Sequence, residues 1–401
     1  MRLIHSFLNR CVTSLLSVLQ RFLVYPSQMT FSGQGSAEQL CDHVSRLGHK
    51  KVLLITDKIL VDLGLAEGIR TTIEKNQGQL FIFDGVLPDP TITMVNDALA
   101  MVQQHRCDAI IAMGGGSSID TAKGVAAAAT HGGLDKLVGI LKLKRKTLPL
   151  FAIPTTSGTG SEVSIAAVIS DPDTHQKAVM ADPKIIPQAV ALDAKLLVGM
   201  PPSVTASTGI DALSHAIETY IGRWADETVY SYSGAAVKLI FEHLPIAYAD
   251  GSDLGARESL SLASYYAGSA LNIGSVGNVH ALAHQIGGKY GIPHGVAIGA
   301  VMPHVLTASL NDAQEPLAQL ADVIGVASKK DTPLQKAQSF VSALVELQAR
   351  VGMPTHIDKI QTADIKGLAQ DGLKEALSYP VPYFMTQAET ESLLGKIRKP
   401  S

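Results

Sequence analysis

Five residues of this chain are spaced for metal chemistry. Asp211 and His215 stand four apart in TGIDALSHAIETYIG, and His280 and His284 stand four apart in GNVHALAHQIGGKYGIPHG, which ends with His294 and a glycine. If both stretches are helical, each pair lies on one face, because residues i and i+4 are neighbours on a helix surface. One carboxylate and several imidazoles can then converge on a single cation. A lone His in an Ala/Gly-rich helix is more often a packed core residue than a ligand. Two separate i, i+4 pairs, with a further histidine locked in Ile-Pro-His-Gly past a Gly287-Gly288 helix stop, are hard to explain by packing, and the combination reads as a metal site.

The elements that must position these residues divide the chain. From about residue 30 to 195, β-rich runs alternate with helical stretches, the pattern of a parallel sheet covered by helices. KVLLITD (51–57), QLFIFDG (79–85), DAIIAMGGG (108–116) and LPLFAIPTT (148–156) read as buried strands that end in polar or glycine residues, at the sheet edge where open α/β folds bind ligands. From 196 onward, MPPSVTASTG opens a region of helical periodicity. Pro201-Pro202 stops what precedes it, and Ser203 or Thr205 is placed to cap the helix carrying Asp211 and His215. The expected organisation is an N-terminal extension (1–29), an α/β dinucleotide-binding domain (30–195) and a helical metal-binding domain (196–401). No internal repeat or low-complexity segment interrupts it.

DAIIAMGGGSSIDTAKGVAAAA carries the strongest nucleotide signal. Gly114, Gly115 and Gly116 remove side chains where a backbone must approach a ligand, and a helix starting near Ser117 offers free N–H groups and a positive dipole end to a pyrophosphate. The run departs from a strict G-x-G-x-x-G fingerprint because Ile119 holds the sixth position, and glycines in a βα turn are as often structural. A second polar loop, TTSGTGSE at 155–162, follows another strand edge, and two such loops suit a dinucleotide better than a lone phosphate. Asp57, at the end of the first strand, has two readings: a ribose acceptor that disfavours a 2′-phosphate, hence NAD rather than NADP, or a helix N-cap.

Composition bounds the alternatives. With 401 residues and 46% hydrophobic content the chain can bury two cores. The balance of 33 basic against 36 acidic residues, net charge -3, excludes a nucleic-acid-binding charge profile, and the one dense basic run, KLKRK at 142–146, reads as a solvated loop. Cys11, Cys41 and Cys107 are odd in number and far apart, which argues for a reducing compartment, the cytoplasm. Residues 1–24 read as an amphipathic helix with Ile4, Phe7, Leu8, Val12, Leu15, Leu19, Phe22 and Leu23 at helical spacing and no acidic residue. Arg2, Arg10 and Arg21 interrupt it too often for a membrane span of ~20 residues. It is expected to pack on the body or a neighbouring subunit, with an interfacial helix or a basic transit-like segment as the other readings.

Taken together, TDKILVDLG, PDPTITMV, GGGSSIDTAK, PTTSGTGSEV, GIDALSHAIE and HALAHQIGGKYGIPHG, in this order and spacing, resemble the iron-containing (group III) alcohol dehydrogenases, the family of lactaldehyde/propanediol oxidoreductases and butanol dehydrogenases. The match runs from about residue 30 nearly to the C-terminus. It implies an α/β N-terminal nucleotide-binding domain followed by an all-α C-terminal metal-binding domain, a dehydroquinate-synthase-like architecture. By the same resemblance Asp211, His215, His280 and His294 are the metal ligands, and His284 lies close to the metal. Asp57, Gly115, Gly116, Ser117, Thr156, Thr159 and Lys177 match cofactor-contacting positions, with Asp120 beside them. Asp89, in PDP, departs from the Asn often found there. Residues 1–24 have no counterpart in the shortest members.

The implied chemistry is NAD-dependent hydride transfer between a small primary alcohol or diol and its aldehyde, on a divalent metal acting as a Lewis acid. Iron suits a site with four protein ligands and room for a substrate oxygen; zinc is possible but would tend to a closed structural site. His284 is the candidate proton relay, with a purely supporting role as the alternative. The partner is a small alcohol or aldehyde, with no nucleic acid and no membrane span, and the resemblance implies a homodimer. Competing functions are a hydroxyacid–oxoacid transhydrogenase or glycerol-dehydrogenase-like activity, a non-redox metal-dependent lyase or hydrolase, and a non-enzymatic metal- or nucleotide-binding regulator.

Overall fold

Strand Lys51–Ile55 shows how the sequence builds the first layer: Val52 and Leu54 face one way and Leu53 and Ile55 the other, and all four are buried. A strand apolar on both faces must be covered by helices on both. The computed structural model describes residues 2–20, 22–134, 136–171 and 177–398. Its described strands are β1 (Met29–Ser32), β2 (Lys51–Ile55), β3 (Gln79–Phe83), β4 (Ala109–Gly114), β5 (Gly139–Ile140), β6 (Leu150–Pro154), β7 (Ala166–Ser170), β8 (Lys177–Ala181) and β9 (Ala189–Leu192). Six of them form an all-parallel sheet in the order β1-β9-β6-β4-β2-β3. The small sheet β5-β8-β7, built on an antiparallel β7–β8 pair, has no counterpart in the sequence expectations.

This arrangement creates a switch point. After β2 the chain enters helix Glu67–Lys75, whose Ile69 and Ile73 join the core on the Val52/Leu54 face. After β4 it enters helix Gly116–His131, whose Ile119, Ala122 and Val125 join the core on the Leu53/Ile55 face. Because β2 and β4 are neighbours and their connections leave to opposite faces, a crevice opens at their carboxyl ends. Asp57 and Gly115 stand at that edge, and Thr155 donates its N–H to the Gly114 carbonyl at 3.0 Å, which brings the second loop alongside.

The chain separates into two compact units, Val24–Met200 and a second one made of Met1–Leu23 with Pro201–Ser401. The helical periodicity beyond 196 thus belongs to the second unit from Pro201, and the N-terminal extension is divided at Leu23. Among the described residues the second unit contains helices and no strand. Helix Pro202–Ile221 runs through its middle, buried without a break from Gly209 to Ile221, and packs against helices Glu227–Ala249, Leu254–Gly274 and His294–Ser309. Two local expectations are corrected. Neither Ser203 nor Thr205 caps this helix: Pro201 is the cap residue and Pro202 the first helical one, its fixed φ suited to that position, while the Thr205 hydroxyl bonds back to the Pro201 carbonyl and accepts from Arg257. Gly287-Gly288 do not stop the helix that begins at Asn278; it runs to Tyr290 and ends at Gly291, whose φ of 61° is the left-handed conformation a C-cap favours.

Gly114 is the most constrained of the loop glycines, with φ of 146° and the Ser118 side chain where a Cβ would sit. Gly114→Ala is expected to destabilise the α/β unit by roughly 1–3 kcal/mol. Urea unfolding followed by circular dichroism reads this as a lower midpoint, and an unchanged midpoint would show that the turn relaxes freely.

Candidate metal centre and nucleotide loops

Asp211, His215 and Glu218 occupy positions i, i+4 and i+7 of one helix, a single stripe. Helix Asn278–Tyr290 lays His280 against that stripe. The His215 and His280 rings stack with centroids 4.6 Å apart, and His280 Nε2 lies 3.7 Å from Asp211 Oδ1. His294, the first residue of the next helix, brings its Nε2 to 3.3 Å from the same oxygen. It can do so because Gly295 presses against the Ser207 carbonyl, leaving no room for a Cβ. Asp211, His215 and His280 offer one ligand atom each within 4.8 Å of one another, and His294 joins them through Asp211.

The state of these atoms tests whether a cation fits. Asp211 Oδ1 and His280 Nε2 are buried and have no hydrogen-bond partner among the described residues, and His215 turns its Nε2 toward the same Asp211 oxygen at 3.9 Å. Two unsatisfied polar atoms facing each other in one buried cluster are a large penalty unless a ligand completes them. Their protonation agrees. Desolvation alone would raise Asp211, but the imidazoles of His215, His294 and His280 hold it well below the ordinary carboxylate range. Burial pushes His215 down to about 4, so it is neutral and able to donate a lone pair. Desolvation would also lower His280, but the Asp211 and Glu218 carboxylates outweigh it and raise it to about 9. His280 therefore carries a proton that a metal ion can replace.

Sequence reasoning missed Glu218, although its i+7 place after Asp211 was a visible signal. Its Oε2 accepts from His280 Nδ1 at 2.6 Å, which fixes the tautomer and turns Nε2 toward Asp211. Its Oε1 accepts from the Val279 N–H at 2.7 Å, so the same carboxylate neutralises the start of the helix that carries His280. Gly277 is required there, since a Cβ would come within 2.6 Å of Glu218 Oε1.

His284 stands one turn further along. Its ring stacks on His294 at 5.3 Å and its Nδ1 bonds Glu375 Oε1 at 2.6 Å. Glu375 also accepts from Tyr379 (2.7 Å) and Gln285 (2.6 Å); desolvation would raise it, but the His284 ring and then the Tyr379 hydroxyl outweigh this and hold it below the ordinary carboxylate range. Desolvation lowers His284, which is therefore neutral near pH 7.

In the α/β unit the two predicted loops meet. A Cβ on Gly116 would strike Thr159 at 2.8 Å, and one on Gly115 would crowd Thr156 at 3.3 Å. Ser117, Thr156 and Thr159 stay partly exposed at this edge. Asp57 caps helix Lys58–Asp62, accepting from Leu60 N at 3.0 Å with one oxygen. Asp120 accepts from Ser161 and from the Val168 N–H, so it ties the glycine helix to the second loop. Asp89 has φ of 61°, a conformation in which Asp and Asn are the usual non-glycine residues, and accepts from Ser170. The side chain of Lys177 lies outside the described residues.

Comparison with known proteins now decides the family. One family model, iron-containing alcohol dehydrogenase, matches residues 26–194, and a second, the C-terminal part of the Fe-containing alcohol dehydrogenase family, matches 205–397. The chain belongs to the iron-containing alcohol dehydrogenase family. It is 36% identical to a 1,3-propanediol dehydrogenase of Klebsiella pneumoniae over 88% of this chain and 93% of that protein. With an NAD-dependent methanol dehydrogenase of Bacillus methanolicus it shares 33% identity over 94% of this chain and 99% of the relative. The crystal structure of a 1,3-propanediol oxidoreductase superposes with a TM-score of 0.90 at 34% identity, covering 94% of this chain and all of that one. The chain is thus an enzyme of the alcohol dehydrogenase type, with the family's α/β and helical parts.

Two outcomes follow from the cluster. Glu218→Gln, which frees the His280 tautomer, is expected to weaken metal binding about 10- to 100-fold while the fold is retained; competition with a chelator measures it, and unchanged affinity would remove Glu218 from the site. Ligation requires a deprotonated imidazole, so metal uptake below pH about 9 must expel the His280 proton. Apparent affinity should rise about ten-fold per pH unit toward that value and then level off. Calorimetry in buffers of different ionisation enthalpy counts the proton, and a count of zero would contradict the assignment.

Proposed function

We propose that this enzyme is an NAD-dependent, metal-dependent alcohol dehydrogenase and aldehyde reductase for a small primary alcohol or diol. The observation that carries the reading is the buried, unsatisfied pair Asp211 Oδ1 and His280 Nε2, with Nε2 of His215 and of His294 turned toward the same Asp211 oxygen at 3.9 and 3.3 Å. Asp211, His215, His280 and His294 would hold a divalent ion, iron by family membership, with zinc as the other candidate. When bound, the ion supplies Lewis-acid polarisation of a substrate oxygen and the nicotinamide accepts or returns the hydride.

The chain's own residues do the rest. Asp211 is kept ionised by its imidazoles and His215 is kept neutral by burial, so both are ready donors. Glu218 holds His280 by Nδ1. Neutral His284 can take up the alcohol proton at Nε2 while Glu375, fixed by Tyr379 and Gln285, stabilises the resulting imidazolium through Nδ1. The backbone N–H groups beyond Gly115, with Ser117, Thr156 and Thr159, would cradle the dinucleotide phosphates. Asp57 at the β2 edge, whose charge would repel a 2′-phosphate, supports NAD over NADP, as does the NAD-dependent relative. The free thiols Cys11, Cys41 and Cys107 support a reducing, cytoplasmic setting.

Stripped of metal and assayed by NADH absorbance with primary alcohols and diols, the protein should be inactive, regain activity with ferrous ion, and prefer NAD to NADP. His280→Ala should lose at least about 100-fold even with excess metal. Absence of turnover under every metal and alcohol would sink the dehydrogenase reading, and NADH that never leaves the protein would replace it with a transhydrogenase.

A further inference from the structure

The N-terminal helix, Arg2–Gln20, is mounted with its polar side inward. Asn9 and Thr13 are buried, at 2% and 1% exposure, whereas Phe7, Leu8, Leu15 and Val18 are 69%, 46%, 64% and 50% exposed. Asn9 Nδ2 donates to the carbonyls of Ala376, Leu377 and Tyr379 at 3.0–3.1 Å, where helix Ile365–Ala376 ends. Arg223 Nη2 donates to Asn9 Oδ1 (2.6 Å) and Thr13 Oγ1 (2.8 Å), and Gln20 Nε2 to the Asn272 and Ile273 carbonyls (2.8 Å each). These contacts tie the helix to carbonyls at the ends of two helices of the same unit. They also fix the helix so that its apolar face points away from the protein.

That face is continuous. Leu8, Leu15 and Val18 follow the 3–4 residue spacing of one stripe, with Cys11 also exposed on it, and Phe22, just past the helix, is 79% exposed. An apolar strip of this length on the surface of an enzyme calls for an occupant. The charge beside it selects one. Arg2, Arg10 and Arg21 are the ionised side chains of the segment, and the first acidic residue of the chain is Glu38. A second copy of the helix would bring arginines with no carboxylate to meet them, whereas a coiled-coil seam is ordinarily flanked by both signs. An anionic lipid headgroup layer offers the missing negative charge together with an acyl boundary for the Phe and Leu side chains.

We propose that the N-terminal helix is a peripheral membrane-binding element that seats this enzyme on an anionic lipid surface, its apolar stripe in the acyl boundary and the positive charge of the segment matched by the phosphates. The helix lies in the plane of the interface and does not cross; among the described residues no helix is long and apolar enough to span. Since the helix is already folded and pinned by its polar side, binding does not have to order it first, as it does for a segment that is unfolded in water.

The test is co-sedimentation of the full-length protein with vesicles of phosphatidylcholine alone and of phosphatidylcholine mixed with phosphatidylglycerol. Binding is expected to the mixed vesicles, to weaken with salt, and to be at least about ten-fold lower to phosphatidylcholine alone. Leu8→Glu/Leu15→Glu should abolish it while the dehydrogenase activity and elution volume stay as in the parent. No binding to the mixed vesicles overturns the proposal, as does equal binding to both, neither of which depends on the variant folding. A parent oligomer that the double substitution dissociates overturns it in favour of a second copy as the occupant.

Discussion

The bond between Glu218 and His280 governs the helical unit. A carboxylate buried beside Asp211 would be expelled by its own desolvation unless something positive faced it. It meets three donors, the His280 ring, the Val279 N–H and the weaker His280 N–H, so that one side chain orients a metal-type histidine and neutralises the helix that carries it. Removing any part exposes the rest. Without Glu218 the helix from Asn278 loses its cap, and without a cation on the other side Asp211 Oδ1 and His280 Nε2 remain unpaired. The charge stored there is what makes the cluster a binding site and a poor piece of packing.

A second carboxylate repeats the device one turn away. Glu375 holds His284 by Nδ1 as Glu218 holds His280, but His284 keeps about a third of its side chain exposed, while His280 is closed to solvent. The same pairing thus yields a buried ligand in one place and a titratable group near the surface in the other. Asn9 of the N-terminal helix bonds the carbonyls of Ala376, Leu377 and Tyr379, the turn that presents Glu375 and the Tyr379 hydroxyl. The extension is therefore structurally joined to the support of His284.

In the α/β unit the controlling constraint is steric. Gly114 turns with positive φ, and Gly115 and Gly116 admit Thr156 and Thr159 into contact distance, so the loops after β4 and β6 form one surface. Asp120 and the buried Lys123 lock that arrangement from behind. Lys123 donates to the carbonyls of Ser164 and Ala166 and to the Ser161 and Ser164 hydroxyls, and burial lowers it to about 8. Asp120, whose place in the motif suggested cofactor contact, has both oxygens engaged in this internal network.

The sequence by itself determined the family, the four strands β2, β3, β4 and β6, the helices bearing Asp211/His215 and His280/His284, and the candidate ligands, because these rest on local periodicity and on motifs whose spacing is written in the chain. It did not show β1 and β9, four-residue strands whose pairing with each other joins residues about 160 apart, or the short β7–β8 pair. Helix ends were misplaced at Ser203 and Gly287 because capping depends on backbone geometry that residue type only biases. Spacing puts Glu218 on the Asp211 stripe but does not name its partner, and Glu375 carries no such signal: their roles arise from contacts 62 and 91 residues away, which only the packing of helices could bring about. The inward polar face of the N-terminal helix had to wait for the structure too, since amphipathicity says that two faces differ but not which one the protein will cover.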